Sequence, residues 1–302
     1  MADKKDNARP SKSYEELIVS AKERAAKAQK SSKAKAVIQL PIWPEPTRGV
    51  PNGVLRSALF GAVRKGPRRY MEGEYVASVD GVEIRYTGQR LDQGDLDVWE
   101  SVLHVMRLQN MDEECRFTAY SLLKLMGKAD TGSNRDTLHR RLLRLKANAV
   151  ELNQTRFSYA GSLIDDVFRE KGTHEYVVVL NSKLRPLFSV DQFTQVEWSV
   201  RRSLDGQPLA QWLHGFYSSH AKPYPMRIDT LLELSGSENS SQTSARQTFR
   251  KAMDAVDKAC KAHGQGFSHE IINNLVYVKK EGSATQKRHL DTRMNRPKKP
   301  GI

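Results

Sequence analysis

Apolar residues recur along the chain with two different periods, and the points where the period changes mark off its elements. Over 75–79 and 82–86, β-branched and aromatic residues alternate with small or polar ones, the pattern of half-buried strands. Asp80-Gly81 between them is a tight hairpin signal, because positive φ angles in the turn match the twist of the flanking strands. Leu96, Trp99, Leu103 and Met106 then recur three or four apart, which predicts a helix with Asp95 as its cap. A short helix over 119–126 follows Thr118 as cap, and Gly127 suits the left-handed position after its end. The polar turn Lys128-Ala129-Asp130-Thr131-Gly132 leads into a longer helix, capped by Ser133 or Asn134 and reaching Ala147, with Leu138, Leu142 and Leu145 as its buried stripe. Helix, short turn, helix is the helix-turn-helix pattern. Segments 150–152, 157–160 and 176–180 read as strands that supply a wing.

The same order returns downstream. Pro208 suits the first turn of a helix carrying Leu209, Trp212, Leu213 and Phe216. Leu231-Leu232-Glu233-Leu234-Ser235-Gly236 then echoes Leu122-Leu123-Lys124-Leu125-Met126-Gly127. A polar turn leads into a helix over 242–263, ended by Gly264, and strands over 267–272 and 275–278 flank the hairpin turn Asn273-Asn274. Two copies of one order predict an α+β fold of tandem winged-helix (helix-turn-helix) domains with flexible basic ends. The expected divisions are a basic arm 1–36, a linker 37–50, winged-helix domains 51–190 and 191–280, and a basic tail 281–302. Within the arm, Ser13-Tyr14-Glu15-Glu16 is a capping-box pattern with little behind it to bury. Arg288, Arg293, Lys298 and Lys299 carry the charge of the tail.

On a wheel of about 3.6 residues per turn, the leucine stripe of the first long helix leaves Arg135, Thr137, Arg140, Arg141 and Arg144 as candidate DNA contacts. In the second, Ala245, Phe249, Ala252 and Val256 point inward, which leaves Thr243, Arg246, Gln247, Arg250 and Lys251, with Asp254 beside them. Arginine can clamp a phosphate or fork onto guanine, and glutamine can read adenine. The plainer alternative is two solvated helix faces.

Composition favours the first of these. The net charge of +14 draws the chain to polyanions, of which nucleic acid is the commonest in a cell. Cys115 and Cys260 lie far apart, in segments that read as helical or just ahead of a helix, so a reducing compartment without disulfides is expected. The amino-terminal stretch has no apolar signal core, and no run approaches the roughly 18 apolar residues of a membrane span. A soluble, cytoplasmic protein without a membrane partner is therefore expected.

Catalytic patterns are missing. Gly61-Ala62-Val63-Arg64-Lys65-Gly66 begins like a phosphate-binding loop, but Pro67 stands where the lysine must be. His139, His214, His220 and His269 have neither the HExxH spacing nor that of a nicking-enzyme metal site. Gly161-Ser162 lacks the glycines of a nucleophile elbow, and Asp165-Asp166 is a lone acidic pair. No enzyme, cofactor or metal is expected.

Four stretches carry a family resemblance: Gln39-Leu40-Pro41-Ile42-Trp43-Pro44-Glu45, the run from Arg48 through Asn52 and Arg56 to Gly61, Tyr86-Thr87-Gly88, and the run from Leu91 through Asp95 to Trp99. Together they resemble the TrfA family of plasmid replication initiators, over the body of the chain from Val37 to the second wing. The resemblance implies tandem winged helices that bind iteron direct repeats at an origin. It also implies melting of adjacent AT-rich DNA, contact with double- and single-stranded origin DNA, and recruitment of the host replicative helicase with a DnaA-type initiator. Exchange between monomer and homodimer is implied as well. The arm is short beside the longest family members.

Gln39, Leu40, Ile42 and Trp43 also resemble the peptide by which bacterial proteins bind the replicative sliding clamp, with Trp for the usual Phe and Pro41 for Ser or Asp. Physically, a Gln-anchored segment can place three apolar side chains in a groove. The competing reading packs Ile42 and Trp43 against the first domain. Two rival functions are a winged-helix transcriptional repressor that never melts an origin and a rolling-circle nicking enzyme. The missing histidine pair weighs against the latter.

Overall fold

The computed structural model describes residues 40–63, 66–79, 81–108, 114–154, 157–170, 175–189, 191–239, 241–283, 286–288 and 290–291, all within one compact unit, 38–302. The arm 1–36, Gln39, Asp80, Arg293, Lys298 and Lys299 lie outside the described residues.

The first part of the chain runs through β1 (Thr47–Pro51), α1 (Asn52–Leu55), β2 (Phe60–Gly61), β3 (Tyr70–Val76), β4 (Val82–Gln89), β5 (Leu91–Asp92) and α2 (Gln93–Met106). Then come β6 (Cys115–Phe117), α3 (Ala119–Leu125), α4 (Gly132–Lys146), β7 (Ala149–Gln154), β8 (Phe157–Gly161), β9 (Asp166–Arg169) and β10 (Tyr176–Val179). A 3₁₀ turn (Ser182–Phe188) and β11 (Phe193–Glu197) lead to α5 (Trp198–Ser203), α6 (Pro208–Ser218), β12 (Met226–Arg227), α7 (Ile228–Leu234), α8 (Gln242–Ala262), β13 (Phe267–Ile272) and β14 (Leu275–Lys280).

Two of the sheets share one order. In β6-β10-β9 and in β12-β14-β13, a short strand ahead of a helix pair bonds to the last strand, which bonds to the one before it. This corrects the expected wing of the first part. The strands at 150–152 and 157–160 belong to β7 and β8, which extend the β3–β4 hairpin into a four-stranded sheet. Burial is the reason: Leu152 and Val150 lie opposite Ile84 and Tyr86, and all four side chains are buried together. The partner of β10 is instead β9, whose residues are mostly exposed.

Two helix caps also differ from expectation. Asp92, not Asp95, caps α2; its side chain accepts from the Asp95 amide while Asp95 accepts from the Asp92 amide, a reciprocal capping box. Thr131 rather than Ser133 or Asn134 caps α4, accepting from the Asn134 amide. Thr118 caps α3 as expected, in a reciprocal box with Ser121, and Gly127 takes a φ of +71° after it. Cys115 sits in a strand, and both it and Cys260 are buried and outside any disulfide.

Apolar side chains gather in two cores. The first includes Trp43, Trp99, Leu142 and Ile164 and extends to Trp198; the second begins at Val200 and includes Trp212, Phe216, Phe249 and Val256. Trp212 crosses between them, donating through Nε1 to the Ser57 carbonyl at 2.9 Å.

Candidate nucleic-acid interface

α3 and α7 each precede a longer helix across a polar turn, and Leu138, Leu142 and Leu145 anchor α4 as Phe249, Met253 and Val256 anchor α8. Each longer helix carries an arginine near its start, held by a carboxylate that precedes the helix. Arg135 donates through Nε and Nη2 to both oxygens of Asp130 at 2.6 Å. Arg246 does the same to Asp229, at 3.0 and 2.7 Å. The hydrogen bond from Arg135 holds Asp130 below the usual carboxylate range, and that from Arg246 acts likewise on Asp229.

The remaining candidates separate by what they touch. Arg140 is exposed and, among the described residues, reaches Thr137 Oγ1 at 3.3 Å. Arg144 instead lies on Asp95 of α2, whose side chain is fully buried. Arg141 hovers between Asp92 and Asp95 at 3.9 and 4.0 Å, and Arg68 donates to Asp92 from the far side. Burial opposes ionisation of Asp92, but the Arg141 and Arg68 guanidiniums outweigh it and hold that carboxyl below its ordinary range. Burial and the neighbouring Asp92 push Asp95 upward. On α8, Thr243, Gln247, Arg250 and Lys251 are all exposed.

Ser133, Thr137, Arg140 and Arg141 of α4 line a groove of about 770 Å³ that Gly206 and Pro208 also line. Ala245, Thr248 and Lys251 of α8 line a second groove, about 580 Å³, that shares Gly206 and Pro208. The two helices therefore border adjoining clefts, separated by the amino-terminal end of α6. Ion pairs brace these clefts: Lys128, in the α3–α4 turn, with Asp205, and Arg90 with Glu238 ahead of α8. Arg68 and Arg90 were not singled out by the sequence, because each lies outside a periodic face. Lys128 was read only as part of a polar turn, and Ser133 only as a candidate helix cap.

Leu40 and Trp43 are core residues, 2% and 1% exposed, whereas Ile42 is 68% exposed. Trp43 donates through Nε1 to His104 Nδ1 at 3.0 Å and stacks on Phe188, with ring centroids 6.2 Å apart. Its ring also lies where a side chain on Gly49 would be, so β1 can approach only without a Cβ there. Of the packing expected for Ile42 and Trp43, only that of Trp43 is present.

Among the described residues, no group of three or more His, Cys, Asp or Glu is placed to hold a metal ion, and no helix is long and apolar enough to cross a membrane. Asp166 of the lone acidic pair is bonded to Lys146 Nζ at 2.8 Å.

The family model described as TrfA protein matches residues 9–280. The plasmid replication initiator protein TrfA of Escherichia coli is 29% identical over 249 residues, covering 79% of this chain; the chain spans 63% of that relative's length. Among solved structures, domains 2 and 3 of RctB share the fold with a TM-score of 0.54 at 13% identity, over 78% of this chain and 99% of theirs. A Pi initiator protein in complex with iteron DNA aligns with a TM-score of 0.42 at 12% identity, over 61% of this chain and 91% of its own.

Proposed function

The chain belongs to the TrfA family of plasmid replication initiators, and from that premise we propose that it binds iteron repeats at a plasmid origin through two winged-helix domains, melts the adjacent AT-rich DNA and recruits the host replication machinery without catalysing a covalent step. The observation that carries this reading is that α4 and α8, each the second helix of a helix-turn-helix, border adjoining grooves. Helices so placed can enter successive major grooves on one face of a duplex, about 34 Å apart. Arg140, Arg250 and Lys251 are exposed where they can meet phosphates or base edges. The net charge of +14 supplies the long-range attraction.

Selection from a random duplex pool at near-physiological salt tests the first part. A single enriched motif long enough for two major-groove contacts, bound less tightly as salt rises, supports it; an unenriched pool overturns it. Permanganate footprinting of a supercoiled plasmid carrying repeats of that motif beside an AT-rich tract tests the second. Protein-dependent thymine reactivity in the tract is expected. Binding without reactivity would leave a repressor.

A further inference from the structure

Where the two cores meet, the structure contains a buried ionic cluster that the DNA-binding reading does not use. Arg201, on α5, is 1% exposed. Its Nε donates to Asp97 of α2 at 2.7 Å, and its Nη2 reaches both the carbonyl and Oε1 of Gln93 at 3.1 Å. Nη1 faces the Gln211 carbonyl of α6 at 3.5 Å, while Gln211 Nε2 reaches back to Asp97 at 3.4 Å. Glu100 stands one helical turn further along α2, fully buried, 3.4 Å from Arg201 Nε, and neither of its oxygens has a hydrogen-bond partner among the described residues. Burial pushes its carboxyl up to about 7.

Such a cluster is a poor source of stability. Desolvating three charges costs as much as their attraction returns, and well-packed apolar residues would hold the junction at least as firmly. Apolar contacts, however, allow helices to shift between neighbouring packings, whereas a planar guanidinium with acceptors fixed on two helices accepts one geometry. Arg201 occupies the middle of a mechanical chain. α4 is fastened to α2 by Arg144 and Asp95, α2 to α5 and α6 through Arg201, and α6 packs on α8.

We propose that Arg201, with Asp97 and Glu100, is the register key of the molecule, a positioning residue that sets the spacing between α4 and α8 and so the spacing of the two DNA segments they read. The inference rests on the proposed function, but concerns a property that neither helix possesses by itself. Base preference belongs to the exposed faces of α4 and α8. Spacing preference belongs to a side chain that never meets DNA.

The test uses the full chain and the duplex enriched by selection, together with versions carrying one, two or three extra base pairs at its centre. Wild type is expected to lose at least tenfold in affinity on the first insertion. A triple variant, Arg201→Met with Asp97→Leu and Glu100→Leu, is expected to keep its melting temperature at or above that of wild type. It should bind the parent duplex within about tenfold and lose less than threefold on the same insertion. Arg201→Lys, which keeps the charge but not the fork, is the fallback should the triple variant not fold, and should show intermediate tolerance. Insertion sensitivity in the folded variants equal to that of wild type would overturn the proposal while leaving the DNA-binding reading intact. A wild-type pool that enriches no duplex would overturn both.

Discussion

The Nη1 of Arg144 lies 2.7 and 2.9 Å from the two carboxylate oxygens of Asp95, and through this pair a helix that faces the groove is fastened to one that lies behind it. The same helix presents Arg140 to solvent. Two arginines one turn apart thus serve different ends, and substitution separates them. Arg144→Ala leaves a buried carboxylate with Arg141 as its nearest cation and should cost about 3 kcal/mol in urea unfolding. Arg140→Ala should change stability by less than about 0.5 kcal/mol. It should also lower the slope of log affinity against log salt by about 0.9 if Arg140 meets a phosphate. An unchanged slope would remove Arg140 from the interface.

Acid should weaken the fold through its buried imidazoles. Burial depresses His104 to about 4, His214 to about 3 and His220 to about 4, from an ordinary 6.5. A depressed folded value means stability that is present above pH 6.5 and lost as pH falls through the folded value. Glu100 has the opposite sign. Raised by burial from 4.5 to about 7, it contributes stability that is present below 4.5 and lost as pH rises through 7. Asp95 and Glu197, both raised by burial, share the sign of Glu100, but the larger shifts of the three histidines outweigh them, so the urea midpoint should fall between pH 6.5 and 4. The fall should be steeper in Glu100→Gln. A midpoint that rises on acidification would contradict the neutral assignment.

The cap of α4 can be checked in the same assay. Thr131→Ala removes the side chain that accepts from the Asn134 amide and should cost about 1 kcal/mol. Ser133→Ala, already inside the helix, should cost less than about 0.5 kcal/mol. The reverse order would move the cap.

The tip of the β13–β14 hairpin depends on left-handed backbone at both Asn273 and Asn274, with φ of 49° and 63°. Asn273→Val should lower stability by about 1–2 kcal/mol, because a β-branched side chain crowds its own carbonyl there. Asn274→Gly should be neutral or slightly stabilising. Calorimetry of both variants decides the point.

These contrasts show what could be read from the residues. Local patterns located the helix pairs, the Asn273-Asn274 turn and the leucine stripe of α4, since each depends on spacing and turn chemistry within a few residues. Pairing over longer distances was not legible. Val150 and Leu152 announced a strand, but nothing local showed that their partners would be Tyr86 and Ile84 rather than Val177 and Val178. β9 escaped notice because Asp166 and Arg169 lie at its ends and little of it is buried. Periodicity also placed Arg144 on the outward face of α4, and on a wheel that is where it lies. A wheel cannot distinguish solvent from a carboxylate on the next helix. The cap of α2 was displaced by three residues because Asp92 and Asp95 answer each other, and either one alone satisfies the pattern.

Burial of Trp43 places a toll on any protein that seeks the segment around it. Removing a buried tryptophan from a core costs about 3 kcal/mol or more, and at about 1.4 kcal/mol per decade fewer than one molecule in a hundred would present the ring at a given moment. A partner whose groove needs Trp43 would meet that small fraction only, and its apparent affinity would be diluted by the same factor. Exposed Ile42, which carries no such penalty, is the side chain of that segment available for a first encounter.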